Sequence, residues 1–164
     1  FNNDNYNKLE MDLIKTLKKK QIDYYQNVKE LNFDKSQLYF LNTKIYNNEN
    51  DNSNIIYFNC LNYQFLLMGD AGVEVENDIL NNYDIKNIDV LKVGHHGSKT
   101  SSGTNFINKI KPKYALISVG NNNKYNHPHQ EVLDNLKNSK IYRTDLSGSI
   151  TFKIRLNYLK IVTE

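Results

Sequence analysis

Three short apolar runs in the middle of the chain each break off at a glycine, and polar residues follow two of the breaks closely. Residues 64–68 lead into Gly69-Asp70, residues 88–93 into Gly94-His95-His96-Gly97, and residues 114–119 into Gly120. Runs of this length, rich in β-formers and ended by glycine, predict strands with sharp exits. Residues 73–81, 105–111 and 130–138 predict helices. Glu74, Glu76 and Asp78 sit where the start of the first helix favours negative charge, Pro112 stops the second, and Val132, Leu133 and Leu136 share one side of the third. Strands alternating with helices predict an α/β layered domain, a mixed sheet with flanking helices. Chemistry in such sheets gathers at the carboxyl ends of the strands.

The flanks complete this picture. Residues 6–20 carry Leu9, Leu13, Ile14 and Leu17 opposite a charged face, which predicts an amphipathic helix. Residues 22–25 and 38–41 predict short strands, and residues 54–60 and 64–68 a hairpin. Residues 140–143 and 149–154 predict closing strands around a turn at Leu146-Ser147-Gly148. Asparagine clusters at residues 2–7, 47–54 and 121–126 read as turns and loops. There is no internal repeat or linker, and 164 residues suit a single domain, 1–164. Phe1-Asn2-Asn3-Asp4 lacks both an initiator Met and a signal-peptide pattern, and reads as a processed or cut end.

Composition excludes more than it suggests. The net charge of +3 is spread along the chain, and Lys18-Lys19-Lys20 reads as a solvated helix face, so charge alone does not argue for nucleic acid. No apolar run approaches the roughly 18 residues that span a bilayer, so no membrane contact by this chain itself is expected. The lone Cys60 reads as a small buried side chain; it excludes an internal disulfide and a zinc site of several cysteines.

All four histidines fall into two pairs, His95-His96 and His127-Pro128-His129, and each pair follows a predicted strand. Asp70 closes a third. Imidazole and carboxylate are common ligands of zinc, manganese and iron, and an aspartate can bridge two ions. Either pair alone could equally be exposed loop histidines or helix caps; with Asp70 in the same pattern, a metal or phosphate site is the stronger reading. Ser98, Lys99, Thr100 and Ser101 then lead towards a helix. They offer hydroxyl, ammonium and backbone N–H donors to a phosphate, with Ser101 or Ser102 expected as the N-cap.

At this point a family resemblance becomes specific. Residues 65–70 (FLLMGD), 89–98 (DVLKVGHHGS), 115–120 (ALISVG), 126–129 (NHPH) and 142–145 (YRTD) follow one another in register. In order and spacing they resemble the metallo-β-lactamase-fold domain of ComEC-type DNA-internalisation competence proteins, and also look like choline-phosphate esterases of bacterial surfaces. The resemblance covers about residues 55–152. It implies an αββα sandwich of two similar halves around a two-metal hydrolytic site, of which this chain would be the C-terminal part.

By that resemblance Asp70 would bridge two divalent ions, zinc or manganese, and His96 would be a terminal ligand. His95 would support that ligand or touch phosphate. His127 and His129 would position the scissile phosphate or donate a proton to the leaving group. The family's His-x-His-x-Asp-His signature is absent, and so is its usual Thr before Gly69, where Met68 stands. The missing N-terminal half is therefore expected to be this chain's partner, and metal binding by the chain alone is expected to be weak. The implied activity is hydrolysis of phosphodiesters, as a DNA nuclease of competence and DNA uptake. The alternatives are a non-catalytic scaffold of the same fold that binds nucleic acid or protein, and a small-molecule phosphoesterase.

Overall fold

The computed structural model describes residues 6–42, 44–156 and 158–164. Residues 2–5 of the first asparagine cluster lie outside them. The chain opens with helix α1 (Lys8–Lys19), begun by an Asn7–Glu10 capping box. Four antiparallel strands follow, β1 (Glu30–Phe33), β2 (Ser36–Phe40), β3 (Ile56–Cys60) and β4 (Tyr63–Leu67). Three strand–helix–strand units then run in parallel: helix α2 (Val73–Asn82), β5 (Val90–Lys92), α3 (Thr104–Ile110), β6 (Tyr114–Ile117), α4 (Gln130–Asn135) and β7 (Lys140–Arg143). A helical turn α5 (Thr144–Ser147) leads to the hairpin β8 (Ile150–Arg155) and β9 (Tyr158–Thr163). The architecture is α/β: a mixed sheet of seven strands in sequential order, β1 to β7, with flanking helices, and a separate two-stranded sheet.

Register explains why the short parallel strands hold. Leu66 lies beside Leu91, Leu91 beside Ala115, and all three are fully buried with Ile79 of α2 and Ile110 of α3. Residues in register share a face of the sheet, so this row belongs to the side that the helices cover. The neighbouring row, Phe65, Val90 and Tyr114, faces the other way, and Phe65 meets Phe152 of β8 edge-on at 6.3 Å. Strands covered on both faces read as continuous apolar runs, as these do.

Several boundaries differ from the sequence expectation. Residues 22–25 are not a strand; α1 ends in a tight turn through Gln21 at φ 54°, and the chain runs on irregularly. The first strand is instead β1, exposed at every position and held at the edge by pairing with β2. The expected turn at Leu146-Ser147-Gly148 is partly helical, as α5. The expected last strand at residues 149–154 has a partner, β9, and the pair stands apart from the main sheet. Helix α4 stops at Asn135, short of residue 138. Among the described residues, no helix is long and apolar enough to cross a membrane.

Candidate functional site at the strand exits

The three exits of the parallel strands meet at one end of the sheet, where backbone hydrogen bonds join them. The chain leaves β4 through Gly69 at φ +55°, a conformation that suits glycine. A Cβ there would also stand 2.6 Å from that of Ser53. The Asp70 N–H donates to the Ser53 hydroxyl at 2.9 Å, and the His95 N–H donates to the Gly69 carbonyl at 3.0 Å. The exits of β4 and β5 are thus tied before any side chain acts.

His95 and His96 both take left-handed backbone angles, φ 45° and 54°. Such angles are uncommon for residues other than glycine, and they turn both imidazoles out of the 3-10 turn Gly94–Gly97. Gly97, at φ +83°, completes the bend, and its carbonyl accepts the His129 N–H at 2.9 Å. The second histidine pair is thereby docked on the first. His127 lies 5.9 Å from His95 and 5.1 Å from His129 between ring centroids, both edge-on. The His127–Pro128 peptide is cis.

His96 is the most constrained of the set. Its Nδ1 lies 2.6 Å from the Ser118 carbonyl oxygen at the exit of β6. That oxygen can only accept, so Nδ1 carries the proton. Nε2 then faces the Asp70 carboxylate, with Oδ1 at 3.3 Å. A neutral imidazole held this way presents a lone pair to a carboxylate, an arrangement that calls for a cation, either a proton on Nε2 or a metal ion. Two ligands of one tetrahedral ion, each roughly 2.0–2.2 Å from it, sit about 3.3 Å apart. The carbonyl bond on the far nitrogen is the usual way a ligating histidine is oriented. Among the described residues, however, no group of three or more His, Cys, Asp or Glu side chains could hold a metal.

Asp70 and His96 are half-exposed. Thr144 on α5 fixes the exit of β6 by exchanging hydrogen bonds with both the N–H and the carbonyl of Val119. His95 Nδ1 is 3.3 Å from the Thr100 hydroxyl, and its Nε2 is 3.5 Å from the Asn50 amide. Burial, with the nearby His129, His95 and His96, lowers the His127 pKa below its usual value and favours the neutral imidazole. Lys92 donates to the Val93 carbonyl; burial pulls its ammonium pKa down, and the charge of Asp70 pushes it back up. A cavity of about 390 Å³ opens beside His96 and His127, with Gly120, Asn123 and Tyr125 on its wall.

Comparison with known proteins bears on the family. The chain is 40% identical over 109 residues to ComE operon protein 3 of Bacillus subtilis (strain 168), covering 65% of the chain and 14% of that protein. It is 40% identical over 91 residues to competence protein ComA of Neisseria gonorrhoeae, 53% of the chain and 13% of that protein. It is 34% identical over 114 residues to recombination protein 2 of Haemophilus influenzae, 68% of the chain and 14% of that protein. These similarities support a competence-related family. The chain spans only a small part of the length of each relative, and no protein-family model matches it.

The residues expected to hold phosphate divide in two. Lys99 and Thr100 are exposed. Ser98 and Ser101 are buried: Ser101 donates its hydroxyl to the carbonyls of Gly94 and Ser98, and the Ser98 hydroxyl lies 3.0 Å from that of Thr100. The expected capping by Ser101 or Ser102 is not found. Gly103 is the N-cap of α3, and a carboxylate from another helix takes the capping role. Glu76 of α2, fully buried, accepts the N–H groups of Ser102 and Gly103, the latter at 2.9 Å. Burial pushes its carboxyl up to about 7, against the pull of those two donors. Sequence reasoning missed Glu76, Ser118 and Asn50 in these roles; only the acidic start of α2 hinted at the first.

Proposed function

We propose that this chain carries part of the active centre of a metal-dependent phosphodiesterase of the metallo-β-lactamase fold, acting on DNA in competence. The observation that supports it is the Asp70–His96 pair, 3.3 Å apart, with the far nitrogen of His96 held by the Ser118 carbonyl. These two side chains would hold divalent metal, zinc or manganese. They are fewer than the three protein ligands of an ordinary catalytic site, so the remaining donors would come from elsewhere in a longer polypeptide. A metal held there supplies Lewis acidity to a phosphoryl oxygen. His127, on the cavity wall, and His129 beside it would serve as hydrogen-bond partners of the phosphate and as sites where a leaving group's proton can be held. His95, with Thr100 and Asn50 at its two ring nitrogens, would support His96 or touch the phosphate. The exposed Lys99 and Thr100 meet an incoming phosphate, while Ser98 and Ser101 shape the turn beneath them.

The test is turnover of a DNA oligonucleotide by the longer polypeptide, with metal content measured alongside. The expected result is two divalent ions per chain and activity that Asp70→Ala abolishes. Unchanged turnover in Asp70→Ala would sink the assignment. The shortage of metal donors among the described residues favours a second reading, a non-catalytic domain that binds nucleic acid. Nucleic-acid binding by a longer polypeptide that takes up no metal and cleaves nothing would establish it. Faster cleavage of a small phosphodiester than of DNA would instead make the enzyme a small-molecule phosphoesterase.

A further inference from the structure

We propose that Tyr125 is a stacking platform for a nucleobase of the bound strand, next to the histidines that handle its phosphate. The inference deepens the nucleic-acid reading above and rests on it. Tyr125 stands 61% exposed in the asparagine-rich loop before His127, so much of this large ring is open to solvent. Its ring lies nearly parallel to that of His127, 25° between planes and 5.6 Å between centroids. His127 meets His95 and His129 edge-on, so aromatic surface continues from solvent to the site beside Asp70 and His96.

The loop is built to keep that ring in place. The Asn123 side chain accepts the His127 N–H at 2.9 Å and donates to the His127 carbonyl at 2.8 Å, with a longer bond to the Gly120 carbonyl. These bonds close residues 120–127 around Tyr125. The cavity wall is open at Gly120, where a Cβ would meet nothing within 4 Å. The Lys124 ammonium lies over the Tyr125 ring, 4.9 Å from its centroid, and its flexible stem lets an incoming base take that place while the ammonium turns to the phosphate. A nucleotide unit offers the matching pair, a flat base to stack and a phosphate to neutralise, and single strands are commonly bound through that combination. A quaternary ammonium, the other guest that aromatic rings attract, would be repelled by the same lysine.

The experiment measures binding of a short oligothymidylate to this chain in the presence of a chelator, beside an abasic strand of equal length and phosphocholine. Base stacking is expected to give the oligothymidylate about a tenfold advantage over the abasic strand. Tyr125→Leu should erase that advantage, and Tyr125→Phe should keep it. Circular dichroism checks that each variant is folded. Equal affinity for the two strands, an unaltered preference in Tyr125→Leu, or preference for phosphocholine would each overturn the proposal. The chelator removes metal from this measurement, so the strand preference reads stacking alone. Turnover and metal content of the longer polypeptide read the metal assignment, so failure of either is seen separately.

Discussion

Strand β5 is three residues long and helix α1 is twelve, yet the short element is the buried one. Val90 and Leu91 of β5 are 2% and 0% exposed, whereas α1 buries no residue, and its Leu9, Met11 and Leu13 stand open among the described residues. The contrast separates two meanings of an apolar pattern. A stripe on a helix says that a face can be covered; it does not say by what. A short run between two parallel neighbours is covered by its position, because β4 and β6 flank it and the helices close over it. The candidate site stands on this second kind of element.

The largest expected effect strikes the buried frame itself. Leu66 is fully buried, paired with Leu91 and enclosed by the helical side of the core. Leu66→Ala should cost about 2–5 kcal/mol, the range for a truncated core leucine. Urea unfolding checks it, and a loss below about 1 kcal/mol would mean that the parallel strands are not the stable region.

Gly97→Ala tests whether the two histidine loops depend on that frame as a unit. A Cβ at Gly97 would lie 2.5 Å from Pro128 Cβ, at a backbone angle of +83°. Both the contact and the angle oppose the substitution, by roughly 1–3 kcal/mol. The imidazole resonances of His127 and His129 should move together with those of His95 and His96. Movement of one pair alone would show that the loops are independent.

Part of this arrangement was legible from residues alone. Asp70 and both histidine pairs are conspicuous because polar groups at the ends of apolar strands have few structural reasons to be there. Glu76 was visible only as a charge at a helix start, since its partners are backbone N–H groups 26 and 27 residues away. Ser118 acts through a carbonyl, which every residue has, so no pattern could single it out. Strand β1 escaped because all four of its positions are exposed and its place is set by pairing. Residues 22–25 misled because a β-rich composition with no neighbouring strand to pair with does not make a strand.

Glu76→Gln tests the dry underside of the histidine loop. An amide offers one acceptor where the carboxyl group offers two, so one of the buried N–H groups of Ser102 and Gly103 loses its partner, at about 1–3 kcal/mol. The effect should depend on pH. Because the folded-state carboxyl is raised from 4.5 to about 7, the folded state binds more protons than the unfolded one in that interval. Its contribution is present in full below about 4.5 and is lost as pH rises through about 7. The gap between wild type and variant in melting temperature should therefore narrow from acid to neutral pH. A constant gap would show that Glu76 titrates normally and is not held dry.

The smallest expected effect is at α1. Leu13 is 48% exposed, so Leu13→Lys removes little contact and keeps a residue of good helix propensity. Its cost should lie within about 0.5 kcal/mol, the range for a surface position, and below a tenth of the upper figure for Leu66→Ala. Denaturant curves of the two variants on this chain make the comparison direct. If Leu13→Lys proved as damaging as Leu66→Ala, α1 would be packed in solution, and the division between a buried functional frame and an uncovered helix would fail. If it is silent here but costly in a longer polypeptide, the apolar stripe of α1 is covered there by residues beyond this chain.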